Sequence, residues 1–135
     1  MSDLFALQGR GHRGKTGTLN DLIRLLSSKY NNAQVNIIIN GNDKKVIFKN
    51  IKDLTIGIET QGDPNSRLQQ SLSDFSNAKC DIIFCACRTR GMTVDWVNSL
   101  SNKYKIHFVK QTIVNNNFQT RNMNKATNLM RLSGL

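Results

Sequence analysis

Gly9-Arg10-Gly11-His12-Arg13-Gly14-Lys15-Thr16 reads G-x-x-x-x-G-K-T. The fold follows from what stands on either side of it. Ahead lies Leu4-Phe5-Ala6-Leu7, a short apolar run that fits a buried strand. Behind it, Thr18-Leu19-Asn20-Asp21-Leu22-Ile23-Arg24-Leu25-Leu26 carries apolar residues at helical spacing. A glycine-rich turn between strand and helix lets the backbone wrap closely around an anion, with successive N–H groups pointing inward. The positive end of the following helix falls on the same spot. Gly9 through Gly17 are therefore the candidate anion-binding residues. The plain alternative is a connecting turn that Lys15-Thr16 follows by chance.

Outward from this stretch, the first helix is expected from Thr16 to Lys29, with Leu19, Leu22, Ile23, Leu25 and Leu26 as its buried stripe. Lys29-Tyr30-Asn31-Asn32 ends it with a basic last turn and turn formers. Gln34-Val35-Asn36-Ile37-Ile38-Ile39 is rich in β-branched residues, Asn40-Gly41-Asn42-Asp43 is a strong turn signal, and Lys45-Val46-Ile47-Phe48 returns. This pair predicts an antiparallel hairpin at the edge of a sheet. Leu54-Thr55-Ile56-Gly57-Ile58-Glu59 reads as a central strand. A helix capped by Asn65 or Ser66 follows, through Arg67, Leu68, Leu72 and Phe75. Cys80-Asp81-Ile82-Ile83-Phe84-Cys85-Ala86-Cys87 is the most apolar strand, and Arg88-Thr89-Arg90-Gly91 ends it. Thr93 is placed to cap the helix around Val94-Asp95-Trp96-Val97. Tyr104-Lys105-Ile106-His107-Phe108-Val109 is the last strand, with Phe48, Phe84 and Phe108 as core residues. After Asn115-Asn116-Asn117, residues Phe118 to Leu132 read as a terminal helix with Ala126, Leu129, Met130 and Leu132 facing inward. Strands alternating with helices predict an α/β fold: a three-layer α/β/α sandwich on a mostly parallel sheet.

The chain has 135 residues, which fits one domain with a core large enough to need no staples. It has no apolar run long enough to span a membrane, and Met1-Ser2-Asp3 lacks the basic and apolar regions of a signal peptide. Of the three cysteines, Cys85 and Cys87 alternate on one strand face. They can in principle share a metal, but with Cys80 they read better as reduced core thiols, which points to the cytoplasm. A net charge of +10, from 19 basic and 9 acidic residues, favours polyanions: nucleotide phosphates, nucleic acid or an acidic protein partner. A solvated basic surface produces the same balance. The aromatics do not interleave with the basic residues as in single-strand binders.

In a parallel α/β sheet, ligands gather at the carboxyl ends of the strands. Three segments end there. The first is the glycine loop, in which Arg10, His12 and Arg13 are unusual; they add charge over an anion or face outward to a docking partner, His12 reading as solvent-exposed. The second is Glu59-Thr60-Gln61-Gly62-Asp63, which holds the single glutamate of the chain. The third is Arg88-Thr89-Arg90, where an arginine can bind phosphate bidentately or flank the helix as a surface pair.

The loop pattern is that of Walker A, and the whole chain resembles the phosphate-loop NTPase superfamily, which binds ATP or GTP with magnesium. The order of elements is similar to that of small GTPases, with Glu59-Thr60-Gln61-Gly62 in the place of their acidic D-x-x-G segment. The resemblance implies that Lys15 reaches the terminal phosphates and that the Thr16 hydroxyl holds magnesium. It implies Glu59 first, and Asp63 beside it, for the magnesium shell or water activation, with Gln61 orienting an attacking water. The alternative for Glu59 is a surface residue, and for Asp63-Pro64 a turn. Arg88 or Arg90 would support the transferring phosphoryl group. The guanine-selecting N-K-x-D is not found: Lys110-Gln111-Thr112-Ile113 has no aspartate. ATP is thus expected ahead of GTP. Two functions from different classes follow: a magnesium-dependent ATPase or kinase-like phosphotransferase, and a nucleotide- or phosphate-binding module whose basic surface contacts nucleic acid or an acidic partner. A protein partner or a second copy of the chain is a candidate to dock over Arg10 and Arg13.

Overall fold

The computed structural model describes residues 2–9, 14–111 and 118–135, with backbone alone for 118–121. Its elements run β1 (Ser2–Gln8), α1 (Lys15–Lys29), β2 (Gln34–Asn40), β3 (Lys44–Ile51), β4 (Leu54–Glu59), α2 (Leu68–Asn77), β5 (Ile82–Cys87), α3 (Met92–Asn98), β6 (Tyr104–Lys110) and α4 (Phe118–Ser133). The fold is α/β, built on one sheet of six strands in the order β2-β3-β4-β5-β1-β6. The sheet is mixed. β4, β5, β1 and β6 run parallel, while β2–β3 and β3–β4 pair antiparallel.

Alternation along the central strands divides the core into two layers. On β1 and β5, Phe5, Leu7, Ile82, Phe84 and Ala86 pack towards the α1–α4 side with Leu19, Leu22, Leu26, Ala126 and Leu129. Leu4, Ala6, Ile83, Cys85 and Cys87 point the other way and meet Leu68, Leu72 and Phe75 of α2 and Val97 of α3. All six residues of β5 are buried, as expected for a strand covered on both faces. Gly57 of β4 lies under the Phe75 ring, and a Cβ there would stand 2.6 Å from Phe75 Cγ.

The hairpin stands at the sheet edge and β4 is internal, as the sequence suggests. At that edge every residue of β2 is exposed, with Ile37 at 48% and Ile38 at 45%. Other positions differ. Phe108 is 40% exposed rather than in the core, since β6 forms the opposite edge. On α4, Ala126, Leu129 and Met130 are buried but Leu132 is 52% exposed. At α2 the helix begins at Leu68, and its amide donates to Ser66 Oγ at 3.2 Å. Thr93 lies inside α3 rather than at its cap: Gly91 takes the cap position, and the buried Thr93 hydroxyl accepts from the Arg88 amide at 3.0 Å.

Candidate functional site

β1 ends at Gln8 and α1 begins at Lys15, so the glycine stretch joins a central strand to a helix N-terminus. Arg10, Gly11, His12 and Arg13 lie outside the described residues. Of the rest, Gly14 is the N-cap of α1 with φ +82°, a left-handed conformation that favours glycine. A Cβ at Gly14 would also come within 2.9 Å of Asn122 Oδ1. Gly17 faces Asn122 too, and its missing Cβ leaves room for that amide. Gly9 continues β1 by donating its amide to the Cys87 carbonyl at 3.1 Å.

Lys15 is nearly buried, and its Nζ donates to the Gly9 carbonyl at 2.5 Å and to the Cys87 carbonyl at 3.2 Å. The side chain thus folds back over the loop and links the ends of β1 and β5. Burial pushes its pKa below the usual lysine value, and the nearby Arg88 charge pushes the same way, against a smaller opposing pull from Asp63. A buried ammonium gains more from an arriving anion than an exposed one does.

Thr16, the next residue, meets two segments distant in sequence. Its hydroxyl lies 3.4 Å from Asp43 Oδ1 and 3.5 Å from the Thr60 carbonyl oxygen. Thr60 Oγ1 donates to the same Asp43 oxygen at 3.1 Å. Thr60 is fixed by a two-way bracket: its amide donates to the Lys44 carbonyl at 3.0 Å, and its hydroxyl accepts from the Lys44 amide at 2.8 Å. The β2–β3 turn, the end of β4 and the start of α1 therefore converge beside the loop. Asp43 was legible in the sequence only as a turn former. Nothing in the spacing marks it as a neighbour of Thr16.

Glu59 ends β4 as expected, and it is fully buried. Both its oxygens are engaged. Oε1 accepts from Arg67 Nε at 2.8 Å and from Ser71 Oγ at 2.6 Å. Oε2 accepts from Arg67 Nη2 and the Gln61 amide, each at 3.0 Å. The carboxylate expected in a magnesium shell is thus saturated by α2 and the segment leading to it. Gln61 likewise turns to α2, its Oε1 accepting from the Arg67 amide at 3.3 Å. Gly62 passes so close to β5 that a Cβ would stand 2.5 Å from the Ala86 carbonyl.

Asp63 and Arg88 come together: Arg88 Nε and Nη2 donate to Asp63 Oδ1 at 3.1 and 2.9 Å. Both are solvent-accessible, so this ion pair is readily exchanged for a ligand. Arg90 is exposed, two residues further on. The three cysteines are free and buried; burial pushes the Cys80 thiol up to about 12, Cys87 to about 11 and Cys85 well upward. They are protonated core groups at neutral pH.

On the far side of the loop, Gln111 and Asn122 support α1. The buried Thr18 hydroxyl lies 3.0 Å from Asn122 Oδ1 and 3.4 Å from Gln111 Oε1. Neither amide stood out in the sequence. Comparison with protein-family models, with curated proteins and with solved structures gave no match. Among the described residues, no helix is long and apolar enough to cross a membrane.

Proposed function

We propose that the chain binds a nucleoside triphosphate, ATP ahead of GTP, as its magnesium complex, and that it is a phosphate-loop NTPase or kinase-like phosphotransferase of the cytoplasm. The observation that carries this reading is Lys15: a nearly buried ammonium at the N-terminus of α1, lying on the Gly9 and Cys87 carbonyls. Together with Gly14 in its left-handed conformation, it forms the strand–glycine–helix arrangement that suits a polyphosphate. Gly9 to Gly17 would cradle the phosphates, and Lys15 would neutralise the terminal ones.

Thr16, the Thr60 carbonyl and Asp43 offer hard oxygens that would hold magnesium, which would neutralise phosphate charge when bound. Arg88, released from Asp63, is within the same strand-end edge and would face the transferring phosphoryl group, with Arg90 beside it. Phosphate release from ATP and GTP, measured with malachite green in magnesium and in EDTA, tests the reading. Magnesium-dependent release above background supports turnover.

One observation favours the second reading, a binding module with little turnover. The strand-end carboxylate Glu59 is closed off by Arg67 and Ser71, so it is not free to activate water. On that reading the +10 chain binds nucleotide while its basic surface contacts nucleic acid or an acidic protein. Nucleotide binding without phosphate release, together with salt-sensitive retention of RNA or DNA in a gel-shift series, would select it.

A further inference from the structure

We propose that Asp43, on the β2–β3 turn, is the carboxylate that holds the divalent cation beside the Thr16 hydroxyl, in place of the strand-end Glu59. The inference rests on the phosphate-loop reading above and assigns the metal site within it.

Three carboxylates stand near the loop, and their surroundings differ. Glu59 is buried in a two-point ion pair with Arg67 and takes two further hydrogen bonds. Asp63 is matched by Arg88. Among the described residues, the partners of Asp43 are two neutral hydroxyls, those of Thr16 and Thr60. Among the described residues, Asp43 is the one of these three carboxylates that has no arginine partner. It is also the carboxylate in contact with the threonine at the start of α1.

The donor set fits a hard cation. Asp43 Oδ1, Thr16 Oγ1 and the Thr60 carbonyl are all oxygens, with Thr16 Oγ1 3.4 Å from Asp43 Oδ1 and 3.5 Å from the Thr60 carbonyl oxygen. Neighbouring oxygens around an octahedral magnesium with bonds of about 2.0–2.1 Å sit roughly 3.0 Å apart. A small inward movement therefore brings the group to coordinating spacing. Both threonine hydroxyls now give their protons to Asp43, and either can rotate to present a lone pair instead.

The position of Asp43 is not that of a loosely tethered turn residue. The next residue, Lys44, is bonded through both its amide and its carbonyl to Thr60 at the end of β4. A cation held by Asp43 would thus tie the hairpin, β4 and α1 to the phosphates at one point.

The test compares the wild type with Asp43→Asn, an isosteric change that keeps the hydrogen-bonding capacity. Binding of fluorescent ATP is measured first in EDTA, then with Mn2+, and the bound Mn2+ is followed by electron paramagnetic resonance. In EDTA the two proteins should bind ATP equally, which also shows that the variant is folded. With ATP present, the variant should lose about 10–100-fold in Mn2+ affinity, the loss typical of a damaged metal site. Equal Mn2+ affinity in the two proteins overturns the proposal while leaving the phosphate-loop reading intact. Failure of the wild type to bind ATP in either condition overturns that reading, and this proposal with it. A second measurement needs no variant. Fe2+ with ascorbate cleaves the backbone next to a bound metal, and cleavage in the ATP complex is expected at the turn around Asp43. Cleavage confined to the segment from Glu59 to Asp63 would contradict the assignment.

Discussion

Arg67 grips Glu59 at two points across a turn, Nε to Oε1 at 2.8 Å and Nη2 to Oε2 at 3.0 Å, with the carboxylate wholly buried. The pair joins the end of β4 to the start of α2. Planar two-point geometry of this kind is the strong form of an arginine–carboxylate bond.

Removing one partner leaves the other charge buried and unmatched. Arg67→Ala should destabilise the fold by about 3 kcal/mol and lower Tm by roughly 10 °C. Replacing both residues with apolar ones, as in Arg67→Met with Glu59→Leu, should recover much of that loss. Thermal unfolding followed by circular dichroism checks both. A single variant as stable as the wild type would mean that the pair contributes nothing.

Lys15 yields a dependence on pH. Its pKa is lowered in the fold by burial first and by Arg88 second. The unfolded chain therefore holds the proton more tightly than the folded one. The cost of keeping Lys15 charged is present at neutral pH and is relieved as pH rises from its folded pKa towards 10.5, the unperturbed value. Nucleotide affinity runs the opposite way, since only the ammonium attracts phosphate. ATP binding should weaken as pH climbs through the lowered pKa and should be accompanied by proton uptake. Calorimetry in buffers of different ionisation enthalpy reads that uptake. Affinity that is flat or rising with alkaline pH contradicts it.

The two isoleucine-rich strands should respond unequally. Ile38 on β2 is 45% exposed, whereas Ile56 on β4 is fully buried. Ile38→Thr should change stability by no more than about 0.5 kcal/mol. Ile56→Ala should cost about 2–5 kcal/mol. Urea unfolding of the two variants compares them directly, and similar losses would show that β2 is covered in solution.

Gly57 sits where a side chain has no room. Gly57→Ala would push a methyl group into the Phe75 ring, 2.6 Å away at Cγ, in a buried position. Overpacking of this kind costs about 1–3 kcal/mol. Gly57→Ala combined with Phe75→Leu should restore part of the loss. No recovery in the double variant would place the strain elsewhere.

The elements that could be read in the sequence were those with a local signal. The apolar run of β5, the Asn40–Asp43 turn and the periodic stripe of α1 each carry their periodicity within a few residues. The edge position of β2 followed from its hairpin, but the exposure of Phe108 was not legible, because it depends on β6 ending up at the opposite sheet edge. That order, β2-β3-β4-β5-β1-β6, is a property of the assembled sheet. The site divides in the same way. The positions of Lys15 and Thr16 at the start of α1 follow from the loop pattern, and that of Glu59 from its strand end, though not its closed-off carboxylate. The capture of Glu59 by Arg67 and the approach of Asp43 to Thr16 span 8 and 27 residues. Both depend on how α2 and the hairpin dock, which no short pattern encodes.

The most direct test is calorimetric titration of ATP, with magnesium, into the wild type and Lys15→Ala, both checked for folding by circular dichroism. The wild type should bind ATP with one-to-one stoichiometry, and Lys15→Ala should show no binding while keeping its fold. Unchanged ATP affinity in a folded Lys15→Ala protein would contradict the assignment of the Gly9–Thr16 loop as the phosphate site.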